Sequence, residues 1–144
     1  MPKRQEQVTL RAHKDLVYRA TFSPDGKSLA TAGLAPGEKG PAEIKLWDVT
    51  TAQQRLSLTG PASGVYALVF SPDGKTLASG GMNNSVKLHD TDTGKQRNAF
   101  QWPGQFWISS LAFTRDGKIL IMASWDGTVQ LRDVDSGRER ILFK

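Results

Sequence analysis

Phe22-Ser23-Pro24-Asp25-Gly26-Lys27-Ser28-Leu29-Ala30-Thr31 decides how this chain is read. An apolar residue ends one extended segment, a four-residue turn follows, and a second extended segment starts at once. Pro24 presets φ for the second position of a type I turn, Asp25 bonds locally, and Gly26 takes the left-handed site. The phrase returns as Phe70-Ser71-Pro72-Asp73-Gly74-Lys75-Thr76-Leu77-Ala78-Ser79 and as Phe113-Thr114-Arg115-Asp116-Gly117-Lys118-Ile119-Leu120-Ile121-Met122. Gly26, Gly74 and Gly117 are spaced by 48 and 43 residues, the range in which repeat architectures announce themselves.

Working outward, each unit opens with a strand pattern: Val17, Ala20, Phe22; Val65, Leu68, Phe70; Ile108, Leu111, Phe113. Offsets of three and five break strict alternation once, as a twisted or bulged strand does. After the turn and second strand, small residues such as Ala32 and Gly80 let neighbouring sheets approach. Third strands follow at Ile44–Asp48, Val86–Asp90 and Val129–Asp133, and fourth strands near Arg55–Leu58, Arg97–Phe100 and Arg140–Phe143. Gly60-Pro61 and Pro103-Gly104 read as turn punctuation. The stretch Gln7-Val8-Thr9-Leu10-Arg11 reads as a fourth-type strand without its own first three. No segment sustains a helical period, so the chain is all-β, and four short antiparallel strands per unit is the composition of one propeller blade. The chain is a single domain, 1–144, of three repeats at about 7–58, 59–100 and 101–144.

The pattern His13…Val17…Phe22-Ser-Pro-Asp-Gly…Leu29-Ala-Thr31…Ile44-Lys-Leu-Trp47-Asp48 resembles a WD repeat, and the second and third units are similar to it over their whole length. The resemblance implies β-propeller blades tied by a buried polar network of His, Ser/Thr, Trp and Asp. In the first unit His13, Thr31 and Trp47 match, and the Asp is lost in an insertion, Leu34–Glu43. The second keeps Ser79 and offers Asn83 for Asp, with Pro61 and His89 at the His and Trp places. The third keeps Asp126, with Gly104, Met122 and Arg132 elsewhere. An incomplete network leaves buried groups unpaired at roughly 1–3 kcal/mol each.

Three blades do not close a ring, which takes about four to eight. The chain is therefore expected to be part of a longer propeller, to close a six- or nine-bladed ring with copies of itself, or to stand as a small open array. In the family that it resembles, one face built from the fourth-to-first and second-to-third strand connections commonly takes protein partners. Carried over, this gives Leu16, Tyr18, Tyr66, Met82, Trp102, Phe106, Trp107 and Trp125 as candidate partner-binding residues, with Gly64 and Ser109 beside them. Aromatic residues of this kind are enriched at interaction hot spots, and they also pack on one another. The insertion reads as a tolerated, mobile loop or as a recognition loop on the same face.

Composition narrows the function classes. The 144 residues are 38% hydrophobic, without an apolar run of the roughly 20 residues that span a bilayer. The first residues carry charge but no apolar stretch behind it, so no secretory signal and no membrane partner are expected. Cysteine is absent, which fits a reducing compartment, and the cytoplasm is the default location. The net charge of +5 is spread singly along the chain. It allows binding of nucleic acid or another polyanion, a weaker reading without a Lys/Arg cluster.

The chemistry for catalysis is thin. His13 and His89 are the only histidines, and Asp25, Asp73 and Asp116 recur because the turn needs them. No nucleophile, base and orienting group fall into a set, and no metal or other cofactor is expected. The reading is a non-enzymatic interaction module or scaffold. The alternatives are polyanion binding and the propeller portion of a larger enzyme or signalling protein.

Overall fold

The computed structural model describes residues 8–35, 37 and 39–144. They form three four-stranded antiparallel sheets, each running through its strands in sequence order. Blade 1 holds β1 (Val17–Phe22), β2 (Ser28–Gly33), β3 (Pro41–Asp48) and β4 (Gln54–Ala62). Blade 2 holds β5 (Val65–Phe70), β6 (Thr76–Gly81), β7 (Ser85–Asp90) and β8 (Gln96–Gln101). Blade 3 holds β9 (Ile108–Phe113), β10 (Ile119–Ser124), β11 (Val129–Asp133) and β12 (Glu139–Phe143). No helix of the described residues is long and apolar enough to cross a membrane.

The repeated turn is a latch built from side chains. The Ser23 hydroxyl donates to Asp25 Oδ1 at 2.6 Å and accepts the Ser28 N–H at 2.9 Å. Ser71 does the same between Asp73 and Thr76, and Thr114 between Asp116 and Ile119. These bonds hold the three carboxyls below the usual aspartate range, the hydroxyl contributing most. At the sharpest point Gly26, Gly74 and Gly117 have φ of 72°, 72° and 71°, which a side chain would strain.

The broken alternation is a bulge, once per inner strand. Pairing jumps from Val17↔Gly33 to Arg19↔Ala32, leaving Tyr18 unmatched, and from Val65↔Gly81 to Ala67↔Gly80, leaving Tyr66 unmatched. In blade 3 the unmatched residue is Ser109. The carbonyls of Leu16 and Gly64 run so close to Gly33 and Gly81 that a Cβ on either glycine would lie within 2 Å of oxygen.

Two apolar cores lie between the blades. Ile44, Leu46 and Leu58 of blade 1 pack on Val65, Phe70 and Leu77 of blade 2. One step on, Val86, Leu88 and Phe100 pack on Ile108, Leu111 and Leu120 of blade 3. Gly80 lets the second pair close up, since a Cβ there would stand 2.8 Å from Ile108 Cγ2. Blade 1 turns its other face, with Val17 and Phe22, to solvent, and blade 3 does so with Ile141 and Phe143.

Several expectations need correction. The insertion is not wholly a loop: Pro41, Ala42 and Glu43 extend β3, and Ala35 and Ala42 are buried. Pro36 and Glu38 lie outside the described residues. Gly60 and Pro61 are not a turn but part of β4, where two residues face Ala42 between the pairs Pro41↔Ala62 and Glu43↔Thr59. A proline fits such a bulge because the ladder does not need its missing N–H. Val8–Arg11 form no strand, and Gln7 lies outside the described residues. Among the described residues every third strand already has its outer neighbour, β4, β8 or β12, which leaves this stretch no ladder to join.

Candidate functional site

The bulges aim aromatic side chains at one end of the molecule. A bulge re-directs the residue it leaves unpaired, and Tyr18 and Tyr66 stack with ring centroids 5.3 Å apart at 23°. Tyr66 stacks in turn on Trp107, just ahead of β9, at 5.5 Å and 8°. Trp125, in the turn after β10, leans against Trp107 at 5.2 Å and 46° and against Tyr66 at 6.2 Å. The Trp125 backbone N–H donates to the Trp107 carbonyl at 3.1 Å, which fixes one turn to the other. The result is a four-ring ladder crossing all three blades. Ring pairs in this range contribute about 0.5–1.5 kcal/mol each beyond area burial.

The ladder is packed within itself yet open at one end. Trp125 is 60% and Phe106 54% exposed, and with Gln105 and Trp107 they line a hollow of about 280 Å³. Met82 is half-buried near Gly64 and Leu34. Leu16 is exposed in a separate hollow with Leu34 and Ala35. Ser109 donates its hydroxyl to the Ala123 carbonyl at 3.2 Å.

Trp102 does not belong to this surface. It is buried in the core between blades 2 and 3, and its indole N–H donates to Asp126 Oδ2 at 3.3 Å. Gly104 makes room for that bond, because a Cβ there would lie 3.0 Å from both partner atoms. Trp102 thus supplies Asp126 with the donor that the family resemblance assigns to histidine. Thr128 completes the carboxylate, donating its N–H at 2.9 Å and its hydroxyl at 2.5 Å.

The networks of the other blades differ. In blade 1 the Trp47 indole donates to Thr31 Oγ1 at 2.9 Å, and His13 Nε2 lies 2.9 Å from the same oxygen. The Thr31 hydroxyl, with one O–H and two acceptor lone pairs, serves both rings at once. Nδ1 faces Glu43 Oε2 at 3.9 Å, so Glu43 stands where the lost Asp was expected. Burial first, then Lys45, lowers the His13 pKa against the opposing pull of Glu43. In blade 2 the network is broken: Ser79 Oγ and His89 Nδ1 are buried without a hydrogen-bond partner. Burial and Lys87 lower the His89 pKa. Asn83 serves its own turn, accepting the Ser85 hydroxyl at 2.7 Å.

Sequence reasoning passed over one repeated residue. Arg55, Arg97 and Arg140 each occupy a second bulge, on the fourth strand. Arg55 donates to Ser28 Oγ at 2.8 Å and Arg97 to Thr76 Oγ1 at 2.7 Å, clamping the outer strand to the second. Blade 3 has Ile119 at that place, and Arg140 bonds Asp133 instead, at 3.1 Å. The Ser136 N–H and Arg140 hold the Asp133 carboxyl down at about 2. The arginines recur at one spacing from the third-strand Asp, so the repeat alignment carried this signal.

Among the described residues no three His, Cys, Asp or Glu side chains are grouped to hold a metal. No characterised protein was matched by sequence similarity. The family model for the WD domain, G-beta repeat, matches residues 4–48, 52–90 and 95–133. Those three segments cover most of the chain; each ends on the Asp of a third strand, the second and third take in the fourth strand of the blade before, and the chain belongs to the WD-repeat family.

Proposed function

We propose that this chain is a non-enzymatic interaction module that takes protein partners on the face carrying the aromatic ladder. WD repeats build protein-interaction modules in general. The observation that supports this face is the exposed end of the ladder: Trp125 and Phe106 stand open beside rings already fixed by stacking. Rigid aromatic anchors bind at low conformational cost, because little side-chain freedom remains to be lost. Three of the cations that a polyanion could use lie away from this face. Lys27, Lys75 and Lys118 recur at the opposite ends of the inner strands, each beside the turn aspartate that accepts its N–H.

The test compares proteins retained by the immobilised chain with those retained by Trp107→Ala and Trp125→Ala. Partners of this face are lost from both variants and survive about 500 mM salt, where exposed charge attraction is screened within ~4–5 Å. Retention unchanged by both substitutions places the site elsewhere.

A further inference from the structure

The chain makes the same blade-to-blade contact twice, and among the described residues it carries one more copy of each half of that contact with no blade packed on it. In blade 2, Phe100 is 4% exposed because it is covered by blade 3, whereas its counterpart Phe143 is 55% exposed. The pairings Phe100↔Val86 and Phe143↔Val129 put the two rings at one position of their sheets. On the receiving side Phe70 is 6% exposed and its counterpart Phe22 60%. Val17 is likewise open where Val65 and Ile108 are buried.

The seat for the extra ring is already formed. Phe100 lies in the core with Leu120 and Val134 of blade 3 and against Gly137. The corresponding residues of blade 1, Leu29 and Val49, line a hollow of about 390 Å³ with Phe22, Trp47 and Ala52, and Val8 and Leu10 of the N-terminal segment form its rim. Ala52 stands where the other blades have Gly94 and Gly137, so this seat is one methyl shallower.

We infer that these two faces bind each other between two copies of the chain, head to tail, with Phe143 of each entering the Phe22–Val49 hollow of the other. A second copy fits because it brings both halves of a contact already used twice within one chain. Two head-to-tail contacts between two copies close a ring of six blades, inside the range of about four to eight that propellers use; three copies give nine, outside it. Closure removes both apolar faces from water.

The experiment is light scattering after size exclusion at about 100 µM, where any interface with a Kd below ~10 µM is mostly occupied. The expected mass is twice the 15.8 kDa of one chain. Phe22→Asp and Phe143→Asp each give monomers, with the circular dichroism of the parent. Mixing the two variants restores a dimer, because one of its two contacts then has both native phenylalanines. Ala52→Gly, which deepens the seat, tightens the parent dimer. A monomeric parent overturns the inference. So does a mass of three copies or more, a dimer indifferent to both aspartates, or variant monomers that do not re-pair on mixing.

Discussion

Trp47 reaches Thr31: its indole N–H ends 2.9 Å from Oγ1 and ties the third strand of blade 1 to the second. At the same place one blade on, the shorter His89 leaves Ser79 Oγ buried and unbonded. Deleting the two hydroxyls should therefore have different effects. Thr31→Ala strands the Trp47 N–H and His13 Nε2 and costs about 1–3 kcal/mol. Ser79→Ala removes a group that is already unpaired, and stability stays level or rises by up to about 1 kcal/mol. Urea denaturation of both variants reads the difference.

Trp102 and Trp125 separate structure from binding. Trp102→Phe keeps the ring in the core and loses the bond to Asp126, whose exposed carboxylate stays bonded to Thr128, so stability falls only modestly. Partner retention by the folded variant is unchanged. Trp125→Ala acts on binding instead: it gives up two ring contacts of ~0.5–1.5 kcal/mol each, and partner retention is lost.

Acid acts on this fold in two steps. His13 and His89 have pKa values lowered from 6.5, so the unfolded chain binds more protons than the folded one once the pH drops below about 6.5. Stability is full above that pH, falls as the pH passes down from it, and levels once both rings are charged in either state. A second fall begins near 3.8, as Asp25, Asp73 and Asp116 protonate in the unfolded chain before the folded one, and it extends to about 2 through Asp133. Chemical denaturation at a series of pH values checks both. His89→Phe reduces the first step and leaves the second.

Ala52 has φ of 57°, in the left-handed region, where the corresponding Gly94 and Gly137 have 76° and 70°. Left-handed backbone costs a residue with a Cβ about 1–2 kcal/mol, and glycine's extra freedom when unfolded returns about 0.5–1 of that. Ala52→Gly is expected to stabilise by a few tenths to about 1 kcal/mol. Thermal melting of the monomeric Phe143→Asp background measures it apart from association.

The architecture was legible in the sequence because its signals are local. Pro24, Asp25 and Gly26 specify a turn without reference to anything distant, and the offsets from Val17 to Ala20 and Phe22 already contained the bulge. The length of β3 and β4 was not legible: Gly60-Pro61 is a turn signal in isolation, and only the opposing Ala42 makes it a bulge. Of the candidate site, the common face of Tyr18, Tyr66, Trp107 and Trp125 followed from the family resemblance, which sets the fourth-to-first and second-to-third strand connections on one side. Trp102 did not, because its role depends on the side chain that Gly104 lacks, and a missing side chain announces no partner. Glu43 was hidden in the same way, since its approach to His13 requires the insertion to fold back as strand.

The hydroxyl–aspartate latch also bears on the order in which the chain folds. Each latch joins residues no more than five apart, and each closes the hairpin between a blade's first and second strands. Contacts so short in sequence form on the microsecond scale of a hairpin, before any long loop must close. The three hairpins are thus three separate starting points, and the interblade cores zip between them afterwards. A lesion in one blade's outer strands would slow that blade without erasing the nuclei of its neighbours.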